Sequence, residues 1–402
     1  MDANLSKPRA LVVMGAGASV EFGIPATARF GELIDNEIKT NAWCIEEGGT
    51  TVYFDVQDKL RKYYNSDAEA HFERIYHVMR ELNGLRLTPR AVPSFRPVMH
   101  PFLTVTSLYS DRALIAACNT ILDFIYAKVS ELCDKPAAPL KPLSDFFERL
   151  EAQYVPRVYT TNYDNFVSQA TQGRYFTGFT KSDNDHWDFD VKAYWSEWNQ
   201  PGLFHVHGSI HMGFPLAGKH EIGDLAWYED KAAALGRARF DGSGRARMDG
   251  TQLERSAIIT GLDKLGRLQQ SPFASYYSGF SRDATEADLI LVLGSGLADL
   301  HLNTFLKLAR RAKPDVPILY VGYWGAHDTD FFSTIQFERD ERDISLFHDL
   351  GINLVNLSES KLRAIDGWTI ASNSKAAVWA DGFQSCLRTP SAFARVMAEL
   401  TE

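Results

Sequence analysis

Two apolar spacings alternate along this chain. Short, largely apolar runs occupy Ala10–Met14, Tyr154–Tyr159, Leu203–His207, Ala287–Leu293, Val316–Val321 and Ile352–Leu357. Runs of this length, closed by turn-forming residues, predict buried strands. Helical spacing separates them. Phe30, Leu33, Ile34 and Ile38 mark one stripe between Thr27 and Ile38, and Phe72, Ile75, Tyr76 and Met79 mark another. Behind Ser110 and Asp111, both good helix starters, a longer stripe runs through Leu114, Ile115, Cys118, Ile121, Leu122, Ile125 and Val129. Leu302, Phe305, Leu306 and Leu308 follow Asp299 as prospective cap. Arg310, Arg311 and Lys313 suit that helix's negative end, and Pro314 stops it.

Strands that alternate with helices predict an α/β fold: a doubly wound, mostly parallel, Rossmann-like sheet. The helical block from residue 41 to 150 reads as a large insertion, broken by the proline-rich stretch Lys135–Pro142. Asp183–Trp198, with Trp187, Trp195 and Trp198 among acids, reads as a loop-rich excursion. Gly236–Gly250 carries Arg237, Arg239, Arg245 and Arg247, has little to bury, and reads as a mobile solvated loop rather than an anion site. Residues 1–358 are expected to form one domain and 359–402 a C-terminal helical tail.

Composition narrows the class. The chain has 402 residues, 45% hydrophobic and 23% charged, enough to bury a core without staples. A net charge of −9 gives no general attraction to nucleic acid or anionic membrane, so neither partner is expected. Cys44, Cys118, Cys133 and Cys386 are scattered, with neither the spacing of a four-cysteine zinc site nor a disulfide framework. No continuous apolar run approaches a membrane span, and Ala10–Met14 is too short for a signal peptide. A cytoplasmic protein is the simplest account.

The polar motifs fall at the carboxyl ends of the predicted strands, where doubly wound sheets bind ligands. Gly15-Ala16-Gly17-Ala18-Ser19 lets a backbone approach a pyrophosphate, although Val20 stands where the dinucleotide fingerprint has its third glycine. A plain turn with Ser19 as helix cap is the alternative. Thr160-Thr161-Asn162-Tyr163-Asp164 offers an amide that orients a hydroxyl or a water, or else a turn in which Asn162 and Asp164 bond their own backbone. His205 and His207 share one face of the predicted strand, and a histidine there suits a general base. Satisfied structural imidazoles are the alternative, and His205, His207 and His211 as a metal set is another. Gly294-Ser295-Gly296 is a second glycine turn, with Asp299 as helix cap or ligand contact.

Together these segments resemble the SIR2 (sirtuin-like) family. Gly15–Ser19 with Gly23-Ile24-Pro25 is similar to its first glycine motif. Thr161-Asn162-Tyr163-Asp164 resembles its T-x-N-x-D motif, His207-Gly208 its His-Gly motif, and Gly294-Ser295-Gly296-Leu297 its late G-x-S-L region, with Gly296 in place of serine. The late variant, with Asp299, His301 and Asn303, resembles bacterial SIR2-like effectors. The resemblance covers about half the chain.

It implies NAD bound across the strand ends. Gly15, Ala16, Gly17, Ser19, Pro25 and Thr161 would hold the cofactor's phosphates and neighbouring groups, and Gly294, Ser295 and Asp299 the adenosine half. Asn162 and Asp164 would position the nicotinamide ribose or a water, and His207 would be the base. No zinc is implied, because the zinc cysteines are missing. The Phe-Gly-Glu peptide-binding signature is missing too, and Asp263-Lys264 stands in that region. Both absences favour an NAD hydrolase over a deacetylase or ADP-ribosyl transferase; a non-catalytic NAD or ADP-ribose sensor is a further reading. The bacterial branch implies an antiviral defence effector, a homo-oligomer, and a HerA-type ATPase or other sensor protein as partner.

Overall fold

The computed structural model describes residues 7–85, 98–99, 109–182, 185–215, 224–240, 250–251, 255–262, 264, 266, 268, 270–297, 299–323, 362–371 and 375–401. The first strand, β1 (Arg9–Met14), is buried from Ala10 onward, as its apolar run requires. A short helix, α1 (Gly17–Val20), follows the glycine turn. Its N-cap position is Ala16, so Ser19 lies inside the helix and is not its cap.

A block of helices comes next. α2 (Thr27–Thr40) buries Phe30, Ile34 and Ile38. α3 (Ala42–Glu46) is capped by Asn41, whose side chain accepts from the Cys44 amide at 3.0 Å. α4 (Gly49–Tyr64) and α5 (Phe72–Gly84) follow, the latter burying Phe72, Ile75, Tyr76 and Met79. α6 (Asp111–Asp134) starts where Ser110 Oγ accepts from the Ala113 amide at 3.2 Å, and α2, α4 and α5 pack around it. Its length and composition would let it cross a membrane, a test that continuous apolar runs alone did not reveal. Its apolar face is spent on these helices. The prolines after Asp134 end it, and Pro142 then sits in the first turn of α7 (Lys141–Gln153), where a missing amide hydrogen costs nothing.

β2 (Val155–Thr160) returns the chain to the sheet and leads into α8 (Phe166–Ala170). The segment expected to be a loop-rich excursion contains β4 (Trp187–Phe189), paired with β3 (Phe179–Lys181), and α9 (Val191–Ser196), capped by Asp190. Trp198, beyond α9, is buried and takes the Arg157 guanidinium on its ring at 4.7 Å. β5 (Gly202–His205) ends sooner than expected. His207 lies in the turn beyond it, before Gly208 at φ +88°, so His205 and His207 do not share a strand face.

Small elements follow: β6 (Met212–Gly213), β7 (Ala226–Trp227), α10 (Lys231–Leu235), β8 (Arg239–Phe240) and β9 (Arg255–Ser256). The glycine- and arginine-rich segment is therefore anchored at its start. Arg239 grips Asp123 of α6 with two bonds of 2.8 and 2.9 Å, and Arg237 stacks over Tyr228. Arg245 and Arg247 lie outside the described residues.

α11 (Phe273–Glu286), β10 (Leu289–Leu293), α12 (Leu300–Ala312) and β11 (Ile318–Val321) match the expected pattern. The expected strand at 352–357 lies outside the described residues. The stretch beyond 358, expected to be helical, instead supplies β12 (Leu362–Ile365), β13 (Trp368–Ala371) and β14 (Ala376–Trp379) before α13 (Phe383–Leu387) and α14 (Pro390–Thr401). Trp368 and Ile370 are buried at alternate positions, a strand period too short to stand out among loop residues.

The main sheet has eight strands in the order β12-β13-β14-β11-β10-β1-β2-β5. From β14 to β5 every pairing is parallel, and β12 and β13 form an antiparallel edge. This is the expected doubly wound, mostly parallel α/β architecture. β1 lies between strands reached in opposite directions, which makes its carboxyl end the switch point. Met14 pairs with Thr160 on one side and Leu293 on the other. That register brings Gly15, Thr161 and Gly294 out side by side.

Candidate functional site

The two glycine turns interlock. The Gly15 amide donates to Leu293 O at 3.0 Å, Gly17 N to Gly294 O at 2.8 Å, and Gly294 N to Val321 O at 2.7 Å. Gly294 has φ +61°, and a Cβ there would stand 2.0 Å from the Ala18 nitrogen. A Cβ on Gly17 would meet Gly294 O at 2.8 Å, and one on Gly15 would meet Ser295 Cα at 2.6 Å. Gly17 and Gly294 thus serve the close approach of two backbones. The Gly17 amide is spent on that approach and the Gly294 amide on β11, and neither residue lines the cleft below. The amides of Ala16, Ser295 and Gly296 have no partner among the described residues.

The loop after β2 is fixed from several sides. Asn162 Nδ2 donates to Gly15 O and to Ser19 Oγ, each at 2.8 Å. Ser19 Oγ donates in turn to Asp164 Oδ2 at 2.6 Å, and the Phe166 amide donates to Asp164 Oδ1 at 3.1 Å. Burial raises the Asp164 carboxyl, opposed by those two bonds. Asp164 is therefore a brace between loops and the start of α8, with both oxygens engaged. Asn162, its NH2 group fixed, keeps Oδ1 without a protein partner among the described residues.

His207 is 2% exposed, and its Nε2 has no hydrogen-bond partner among the described residues. Burial lowers its pKa to about 3, with Asp299 pulling upward and Lys264 and His301 downward. The imidazole is therefore neutral at physiological pH. Asp299 occupies the N-cap position of α12 but makes no capping bond. Its Oδ1 instead accepts from Lys264 Nζ at 2.5 Å, in a pair whose side chains are each 19% exposed. Burial pushes the Asp299 carboxyl up, but His207, Lys264 and His301 together hold it below its ordinary range. Asn303 Nδ2 steadies the same loop by donating to Leu297 O at 2.6 Å.

These groups surround one cleft of about 300 Å³. Gly15, Ala16, Ser19, Pro25, Thr161, Asn162, Asp164, His207, Ser295 and Asp299 line it; of the residues the resemblance assigned to NAD or to catalysis, Gly17 and Gly294 do not. Asp299 stands beside His207 rather than apart from it. The helical block adds a wall with no sequence motif: Phe30 from α2, Phe72 and Glu73 from α5, and Ile125 and Val129 from α6. All but Glu73 are apolar stripe positions in the sequence, and a stripe does not distinguish the end that faces a ligand.

His205 and His211 each hold a backbone carbonyl through Nδ1, although His205 Nε2, like His207 Nε2, is buried without a partner among the described residues. His205 Nδ1 lies 3.1 Å from Asn162 O, and His211 bonds Tyr228 O at 2.8 Å while stacking on Trp227. The metal set of His205, His207 and His211 is not assembled. Among the described residues one other trio, His207, Asp299 and His301, has potential ligand atoms within 4.8 Å of one another. The Lys264 ammonium already supplies the positive charge there.

Residues 156–353 match the SIR2-like domain family. The matched stretch contains the Thr161–Asp164, His207-Gly208 and Gly294–Leu297 motifs, and the first glycine turn precedes it. Solved structures similar to this chain include a Sir2 homologue mutant bound to ADP-ribose, at 13% identity and TM-score 0.35, covering 80% of this chain and 84% of that one. A Sir2 homologue–NAD complex is similar at 14% identity and TM-score 0.35, covering 79% of each. No curated protein sequence matches the chain.

Proposed function

We propose that this chain hydrolyses NAD at the nicotinamide–ribose bond. The observation that carries the reading is His207 Nε2, buried in the same cleft as the amides of Ala16, Ser295 and Gly296, all four without a partner among the described residues. A buried polar atom without a partner costs free energy until a ligand supplies one. The free amides suit a pyrophosphate, which needs several donors and no fixed side chain. Pro25 and Thr161 complete the wall beside them.

In this reading a water attacks the ribose C1′ as the C1′–N bond breaks, and the electron pair leaves with nicotinamide. Because the leaving group starts cationic, it departs neutral and needs no acid. Asn162 Oδ1 accepts from the water or from a ribose hydroxyl, its own amide group being locked by Gly15 and Ser19. His207 takes the water's proton, and Asp299 stands beside the imidazolium that forms. The products are nicotinamide, ADP-ribose and a proton.

The resemblance of the late motif to bacterial effectors supports a role in antiviral defence by NAD depletion, held in check by self-assembly or by a partner sensor protein. The test is to incubate the protein with NAD and follow nicotinamide and ADP-ribose, with and without an acetyl-lysine peptide. Stoichiometric release of both products without peptide is expected. Release that requires peptide, or binding without turnover, would replace hydrolysis with deacetylation or with sensing.

A further inference from the structure

Among the described residues three carboxylates line the cleft: Glu73, Asp164 and Asp299. Two are occupied. Asp164 accepts from Ser19 and the Phe166 amide, and Asp299 accepts from Lys264. Glu73 makes no hydrogen bond and no ion pair with any described residue. It comes from the first turn of α5, whose orientation is set by the burial of Phe72, Ile75, Tyr76 and Met79 against α6. That packing leaves Glu73 facing the cleft beside apolar Phe30, Phe72, Ile125 and Val129. Burial raises its carboxyl, although Lys264 opposes the shift.

An unpaired carboxylate on an apolar wall is a poor structural choice. Its position in the first turn offers a bland role, as partner to the positive end of α5. That role is served equally by a carboxylate turned to solvent. A group held inside a cleft with free lone pairs is suited to a ligand that brings hydroxyl donors and positive charge. On the reading above, the ribose of NAD brings both. Its vicinal hydroxyls donate, and its C1′ and ring oxygen take up positive charge as the glycosidic bond breaks.

We propose that Glu73 is a further substrate-binding residue, whose carboxylate accepts from the nicotinamide-side ribose diol and stabilises the cation formed there. The proposal rests on the NAD-hydrolysis reading. The hydroxyls become more acidic as charge reaches the ribose, so the interaction strengthens in the transition state. Its loss therefore falls on kcat rather than on KM.

The experiment compares wild type, Glu73→Gln and Glu73→Ala by nicotinamide release, ADP-ribose calorimetry and thermal melting. NAD and its 2′-deoxy and 3′-deoxy nicotinamide-riboside analogues are the substrates. On NAD both variants should lose about 10²-fold in kcat, as for other transition-state charge contacts, with melting unchanged. With the deoxy analogue that lacks the contacted hydroxyl, the gap between wild type and Glu73→Ala should narrow. Variants that keep wild-type turnover on NAD, or a loss that stays the same with both analogues, would overturn the role of Glu73 and leave NAD hydrolysis standing. A lowered melting point with unchanged kcat would assign Glu73 to α5 alone. If wild type neither releases nicotinamide nor binds ADP-ribose, the hydrolysis reading fails and this one falls with it.

Discussion

Ser19 Oγ lies 2.6 Å from Asp164 Oδ2 and donates its hydrogen to it, joining the first glycine turn to the loop after β2. The same oxygen accepts from Asn162 Nδ2 at 2.8 Å. One hydroxyl thus sets the orientation of both Asn162 and Asp164. Ser19→Ala leaves a buried carboxylate short of a donor and Asn162 with one of its two acceptors. We expect a stability loss of about 1–3 kcal/mol by urea unfolding. Turnover should fall as well, because the Asn162 amide is then held by Gly15 O alone. A Ser19→Ala protein with wild-type stability would mean that the contact contributes nothing.

The interlocked turns give two glycines of one motif opposite tolerances. Gly294→Ala puts a Cβ 2.0 Å from the Ala18 nitrogen at a φ of +61°. It should cost at least about 3 kcal/mol. A Cβ on Gly296 meets nothing within 4 Å, so Gly296→Ala should stay within about 1 kcal/mol of wild type. Chemical denaturation of both variants checks this. Equal stabilities would show that the two backbones do not meet as described.

Much of this was legible in the sequence, and the rest was hidden for identifiable reasons. The apolar runs of β1, β10 and β11 and the stripe of α6 announce themselves, because burial on every side leaves no ambiguity of period. β13 was missed since Trp368 and Ile370 alternate over only four residues. The motifs at the strand ends were legible because polar residues are conspicuous after buried strands. What Gly17 and Gly294 do was not, since a glycine that contacts a ligand and one that contacts another backbone look alike until the register is known. Glu73 carried no signal at all. It is one acid on an amphipathic helix, and its meaning depends on how α5 is turned against α6.

Acid should act on the buried imidazoles. His205 has a pKa lowered to about 4 and His207 to about 3, chiefly by burial, from an ordinary value of 6.5. Both folded-state values lie below the unfolded one, so the unfolded chain binds these protons first. Their contribution to stability is full above pH 6.5 and is lost as pH falls from there toward 4 and 3. Between pH 7 and pH 5 each should cost about 2 kcal/mol. Raised carboxyls such as Asp164 act in the opposite sense, so the effect is read as a difference. Wild type should lose about 2 kcal/mol more than His207→Asn over that interval. Parallel stability–pH curves for the two proteins would contradict the burial of a neutral His207.

The Lys264–Asp299 pair separates stability from catalysis. Asp299 forgoes the capping bond its position offers and holds Lys264 beside His207 instead. Asp299→Asn strands a part-buried ammonium and should destabilise the fold. Replacing both partners by apolar residues, Lys264→Met with Asp299→Leu, removes the stranded charge and should restore much of that stability. Turnover should not return with it, because the imidazolium formed at His207 then has no carboxylate beside it. We expect the double variant to stay about 10–10²-fold below wild type in kcat, short of the full loss of 10²–10⁴-fold for His207→Ala. Urea unfolding and nicotinamide release on the three variants decide the matter. A double variant that recovers both stability and wild-type kcat would show that Asp299 serves the fold alone.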